Sequence, residues 1–166
     1  MNIQSAIKKG LVVLIILIAA NVADAGDFQE KMLRTIAMVE SHDGKYLEHA
    51  PLNAGMHKNP AIGRYGLTLP MIKDAIKLDK DLAKYSWILS AEYETVKNTM
   101  IANPKIGKDI ASSHLKRLRK HFGDSPKLLG HAWLSGIVGT KRAIKEGKSI
   151  KEHWHVRKII SVFNEI

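Results

Sequence analysis

A chain of 166 residues with 45% apolar and 25% charged side chains can bury one core of ordinary size, and that composition excludes wholesale disorder. It contains no cysteine, which removes disulfides, thiolate nucleophiles and Cys-ligated zinc. Lys and Arg number 26 against 16 Asp and Glu, a formal charge of +10 that suits an anionic partner.

The N-terminus reads as an export signal over residues 1–25. Lys8 and Lys9 precede an apolar run from Leu11 to Ala20, and Ala23-Asp24-Ala25 supplies a small-x-small cleavage site. The run is short for a membrane span, and an uncleaved anchor is the alternative. Cleavage after Ala25 leaves 24 basic and 15 acidic residues, a charge of +9 on an exported chain, periplasmic or secreted, with no stable membrane anchor.

Residues 26–166 are expected to form a single, mostly α domain. Phe28, Met32, Ile36 and Glu40 recur at i+4, so Asp27–Ser41 is a helix ending near Gly44. From His42 through Gly63 there are two prolines, three glycines counting Gly63 itself, and no apolar period, which predicts a long loop or small irregular or β-hairpin lobe. Pro70 opens a helix through Leu78. Helices are expected over Asp81–Leu89 and, capped by Ser90, over Ala91–Ala102. Asn103-Pro104 starts the clearest one, with Ile106, Ile110, His114, Leu118 and Phe122 as its stripe and Gly123 as its stop. Ser125-Pro126 begins a helix toward Leu134. Gly136 and Gly139 mark a turn before a short helix capped by Thr140. Ser149 and Glu152 form a capping box for the last helix, toward Phe163.

Glu40 is out of place on its apolar stripe. A carboxylate there is desolvated, and it sits at the negative end of its helix dipole. Both effects raise its pKa, as a general acid near neutral pH requires. The alternative is an edge carboxylate that reaches water or a lysine.

Five ordered segments carry a resemblance. Ile36-Ala37-Met38-Val39-Glu40-Ser41 resembles the catalytic Glu-Ser segment of the goose-type lysozymes and soluble lytic transglycosylases, within the lysozyme-like superfamily. Gly63-Arg64-Tyr65-Gly66-Leu67 is similar to that family's Gly-x-x-Gly-Leu segment. Ile110–Leu115 through His121-Phe122-Gly123-Asp124 is similar to its helix ending in Phe-Gly-Asp. His131-Ala132-Trp133-Leu134-Ser135-Gly136 falls where the family has Ala-Tyr-Asn-x-Gly, and Trp154–Ile159 where a helix begins Tyr-Val.

The resemblance implies an α+β lysozyme-like domain over 26–166, acting as a monomer without a cofactor. It would cleave the β-1,4 bond between N-acetylmuramic acid and N-acetylglucosamine in peptidoglycan, with Glu40 protonating the leaving oxygen. The second step is either attack by the muramyl 6-hydroxyl, giving an anhydro sugar, or attack by water. Asp43 and Glu48 are candidates for a second carboxylate, or are solvated loop residues. Ser41, Gly63, Tyr65, Gly66, Leu67, Trp133 and His155 are the implied substrate-binding positions. The chain departs from the family where Thr68-Leu69 replaces Met-Gln, where Trp133-Leu134 replaces Tyr-Asn, and where His155 replaces a tyrosine beside the catalytic glutamate. Lost amides suggest altered sugar preference, including de-N-acetylated glycan. They also leave open a catalytically silent wall-binding protein. His155 would either hold Glu40 ionised or donate a hydrogen bond as the tyrosine would.

Other patterns point elsewhere. The eight histidines show no His-Glu-x-x-His spacing, so no metal is expected. The basic run His114–His121 places Leu115 and Leu118 on the buried side and has no interleaved aromatics, so nucleic acid is not the expected partner. Trp87 suits the core. Trp133 and Trp154 suit either core packing or stacking on sugar rings.

Overall fold

The computed structural model describes residues 26–47 and 59–166. The export signal, Glu48 and most of the expected loop lie outside the described residues. Those described are mostly helical, and their one β pairing is an antiparallel bridge between Ile62 and Leu67. No hairpin lobe extends beyond that bridge among them.

Helix α1 covers 26–41 and buries Met32, Leu33, Ile36, Ala37 and Val39. It stops because His42, Asp43 and Gly44 all adopt positive φ, at 51°, 61° and 89°. Helix α2, Leu69–Leu78, has Pro70 in its first turn as expected, with Thr68 as its cap. The next segment, Lys80–Leu89, is a 3₁₀ helix rather than an α-helix. Leu82, Tyr85 and Ile88 lie three apart, so a repeat of three residues per turn keeps them on one inward edge. Ser90 ends that segment instead of starting the next. Helix α3 is Tyr93–Ala102, two residues shorter than expected, and Glu92 at its N-cap makes no side-chain capping bond.

Helix α4, Pro104–Phe122, buries Ile106, Ile110, Ala111, His114, Leu115 and Leu118 and ends at Gly123, φ +61°. Helix α5, Pro126–Lys145, is interrupted at Gly136 (φ 68°, ψ 176°). Thr140 does not cap the second half. It is buried, and its hydroxyl lies 2.8 Å from His131 Nδ1, bonding across the break. Ser149 precedes a 3₁₀ turn, Ile150–Glu152, without a side-chain capping bond, so it forms no capping box with Glu152. Helix α6 runs Trp154–Glu165 with His153 at its N-cap.

The principal core joins α1 to α5 with Ile159 of α6. A smaller cluster of Ala143, Ile150 and Val156 fills the angle behind α6. Helices α5 and α6 approach closely because Gly130 has no side chain: a Cβ there would meet Ile159 Cγ2 at 3.0 Å. That crossing places His155, one turn before Ile159, against the end of α1. No helix among the described residues is long and apolar enough to cross a membrane.

Candidate active site

Glu40 lies in the last turn of α1 with 16% of its side chain exposed. Its Oε1 is 3.4 Å from His155 Nε2, and neither atom has a hydrogen-bond partner. The other carboxylate oxygen faces the backbone at Gly66, where a Cβ would come within 2.6 Å of Oε2. Gly66 is also at φ +61°, so the position requires glycine for conformation and for space alike.

Burial raises the Glu40 pKa to about 7, against the opposing charge of Lys158. His155 moves the other way. Burial first, then the positive charges of His153 and Lys158, lower it to about 4. Both shifts favour neutral forms, so His155 does not hold Glu40 ionised. Near neutral pH the pair is a carboxyl group close to its midpoint facing an uncharged imidazole. A neutral histidine can present either a lone pair to the acid or an N–H to the carboxylate.

The residues around this pair hold it in place. Ser41 is fully buried; its hydroxyl donates to the Arg64 carbonyl at 2.7 Å and accepts from the Gly44 amide at 2.8 Å. One side chain therefore ties the end of α1 to the 63–66 turn. That turn is closed by the Gly66 amide on the Gly63 carbonyl (3.2 Å) and by the paired bonds between Ile62 and Leu67. From behind, Trp133 Nε1 donates to the Tyr65 carbonyl at 3.2 Å.

Of the expected binding positions, Glu40, Ser41, Gly63, Gly66 and His155 converge. Tyr65, Leu67 and Trp133 belong to the core, Trp133 being only 2% exposed and edge-on to buried His114. Their part in the described site is to support the turn that carries Gly66. Asp43 is ion-paired with Arg64 at the surface. Glu48 lies outside the described residues.

Sequence reasoning missed the bond between His131 and Thr140, and the aromatic cluster beyond it. The His131 and His153 rings have centroids 6.2 Å apart, His153 stacks on Trp154, and Trp154 meets His155 edge-on at 5.5 Å. The available signal was Gly136, a turn marker in the sequence; its φ of 68° breaks α5 so that residues nine apart can meet. Among the described residues no group of three His, Asp or Glu side chains is arranged to hold a metal ion. A separate cavity of about 310 Å³ lies between α2 and α4 and is lined by Asp79, Ser113, Lys116 and Lys120 among others. Asp79, one of its two carboxylates with Asp81, is lowered by the Ser113 hydroxyl and the Asp81 amide, the opposite of what an acid catalyst needs.

No protein-family model, curated protein or solved structure matches the chain.

Proposed function

We propose that the chain is an exported, lysozyme-like glycosidase that cuts peptidoglycan glycan strands at the β-1,4 bond after N-acetylmuramic acid. The observation that carries this reading is the Glu40 carboxyl, largely buried, raised to about 7 and held between Gly66 and an uncharged His155. Few surroundings keep a carboxylic acid protonated near neutral pH, and proton donation to a leaving glycosidic oxygen needs that state.

The proposed cycle uses one acid twice. Glu40 gives its proton to the glycosidic oxygen as the anomeric C–O bond breaks. The carboxylate left behind is stabilised by a His155 Nε2–H, and then takes a proton from the attacking hydroxyl. If the attacker is the muramyl 6-hydroxyl, the product is a 1,6-anhydro sugar and Glu40 is restored. If it is water, the product is a reducing end. Ion-pairing of Asp43 with Arg64 favours a scheme that does not depend on Asp43 as a second carboxylate.

A wall-binding protein without activity is the rival. Leu134, exposed where the resembled family has an amide, favours it. The same loss underlies the proposed preference for glycan lacking some N-acetyl groups. Digestion of purified sacculi followed by mass spectrometry separates these readings. Anhydro or reducing ends from the native protein, absent with Glu40→Gln, are the expected result. Sacculi bound but uncut by the native protein would establish the rival.

A further inference from the structure

Trp154, followed in sequence by the His155 that faces Glu40, is the most exposed tryptophan among the described residues. It is 64% exposed, whereas Trp133 is 2% exposed and Trp87, on the distant 3₁₀ segment, is 38% exposed. Trp154 is the first residue of α6, and both neighbours in sequence fix its orientation. The His153 ring lies nearly parallel to it, at 26° and 6.2 Å between centroids, and the His155 ring meets it at 88° and 5.5 Å. The indole is therefore joined through one imidazole to the Glu40 carboxyl, since His155 Nε2 is 3.4 Å from Glu40 Oε1.

An exposed indole has an ordinary explanation, because single apolar side chains are common on surfaces. Three features go beyond it. The ring is held by flanking rings, so a partner would not have to order it. The surface continues on α5, where Leu134 is 47% exposed one turn after His131, whose ring meets His153. Finally, among the described residues no carboxylate is paired with the His153–Trp154–His155 group other than Glu40 itself. An exposed indole held by two flanking imidazoles suits a pyranose ring, which presents axial C–H groups from one face.

We infer that Trp154 is a sugar-stacking subsite next to the Glu40–His155 pair, taking a pyranose unit of the glycan strand on its exposed indole. This rests on the glycan-cleaving reading above and adds a residue to which that reading assigned no role. His155 then serves both parts: one edge of the imidazole faces the acid and its ring supports the platform.

The test separates binding from cleavage by working in a Glu40→Gln background, with peptide-free glycan strands from sacculi as the probe and calorimetry as the readout. The expected result is a Kd about tenfold weaker for Trp154→Ala, comparable with losses when an aromatic platform is removed from under a stacked ring. Trp154→Phe should stay within about threefold, because a smaller aromatic face remains. Trp87→Ala should bind as the parent does. Trp154→Phe also covers the case in which the alanine variant fails to fold. Two results would overturn the inference: Trp154→Ala binding as tightly as the parent, or no glycan binding with Trp154 intact. The glycosidase reading fails separately, if the native protein binds strands through Trp154 and releases no product from sacculi.

Discussion

At the scale of residues, the account turns on a carboxyl and an imidazole that are each moved toward the neutral state. Their effects on stability have opposite signs. The folded-state pKa of Glu40 is raised from 4.5 to about 7, so the stability tied to its protonated form is fully present below pH 4.5 and is lost as pH rises through 7. That loss amounts to roughly 3 kcal/mol. His155 and His114 are lowered from 6.5 to about 4, so their contribution is present above pH 6.5 and is lost as pH falls through 4. Between pH 4.5 and 6.5 the histidine gain runs against the Glu40 loss, so the test is a difference: in thermal melts the stability of Glu40→Gln relative to the native protein should rise between pH 4.5 and 7 and be level outside that window. A difference that does not change with pH would place the titrating group elsewhere.

Gly66 supplies a second test at this scale. Gly66→Ala should lose activity and roughly 1–3 kcal/mol of stability, because its Cβ would strike Glu40 Oε2 and its φ of +61° is strained for alanine. Denaturant unfolding alongside sacculus digestion would measure both. An alanine variant as stable and active as the parent would mean that the turn does not clasp the carboxyl.

At the scale of elements, the site depends on α6 reaching α1, and Gly130 sets how closely α6 can approach. Gly130→Ala would drive a methyl against Ile159 at 3.0–3.2 Å. The expected cost is about 1–3 kcal/mol of overpacking. The helix displacement would also separate His155 from Glu40, so cleavage should fall more than stability alone explains. A melt and a rate measured under conditions where the variant is fully folded would separate the two effects.

This is also the scale at which the sequence was most and least legible. Apolar recurrence at i+4 marked α1 and α4, since each buries one continuous face. Pro70 and Pro126 marked starts because proline suits a first turn. The sequence of Asp81–Leu89 suits an α-helix because its threefold spacing of Leu82, Tyr85 and Ile88 is hard to distinguish from i, i+3 contacts on one. Ser149 and Glu152 had the spacing of a capping box, but a 3₁₀ turn uses the intervening residues before α6 begins. Thr140 was read as a cap because a hydroxyl after glycines usually is one. Its partner, His131, becomes visible only once the chain folds at Gly136. In the candidate site, Glu40 was legible as a carboxylate on an apolar stripe, whereas the separation of Trp133 from Trp154 into buried and exposed was not. Both lie in helices at positions where either outcome satisfies the pattern.

At the scale of the whole molecule, the charge is distributed over exposed cations on several helices. Lys116 and Lys120 on α4, Lys141, Arg142 and Lys145 on α5, and Arg157 and Lys158 on α6 are all solvent-facing. Exposed charges of one sign produce a long-range field that salt screens beyond about 10 Å at 0.1 M ionic strength. An envelope rich in muramyl-peptide carboxylates would attract such a surface. Binding to sacculi should therefore weaken steadily as salt is raised, and co-sedimentation across a salt series would show it. Indifference to salt would remove charge from the account and leave recognition to the site alone.

The central claim is that Glu40 is the acid that cleaves glycan. Its most direct measurement is the rate of sacculus cleavage against pH for the native protein and for Glu40→Gln. The native rate should fall as pH rises through about 7, where Glu40 loses its proton, and the variant should be slower by about 100-fold or more below pH 7, the gap closing as the native rate falls above it. Cleavage by Glu40→Gln at the native rate would contradict the claim.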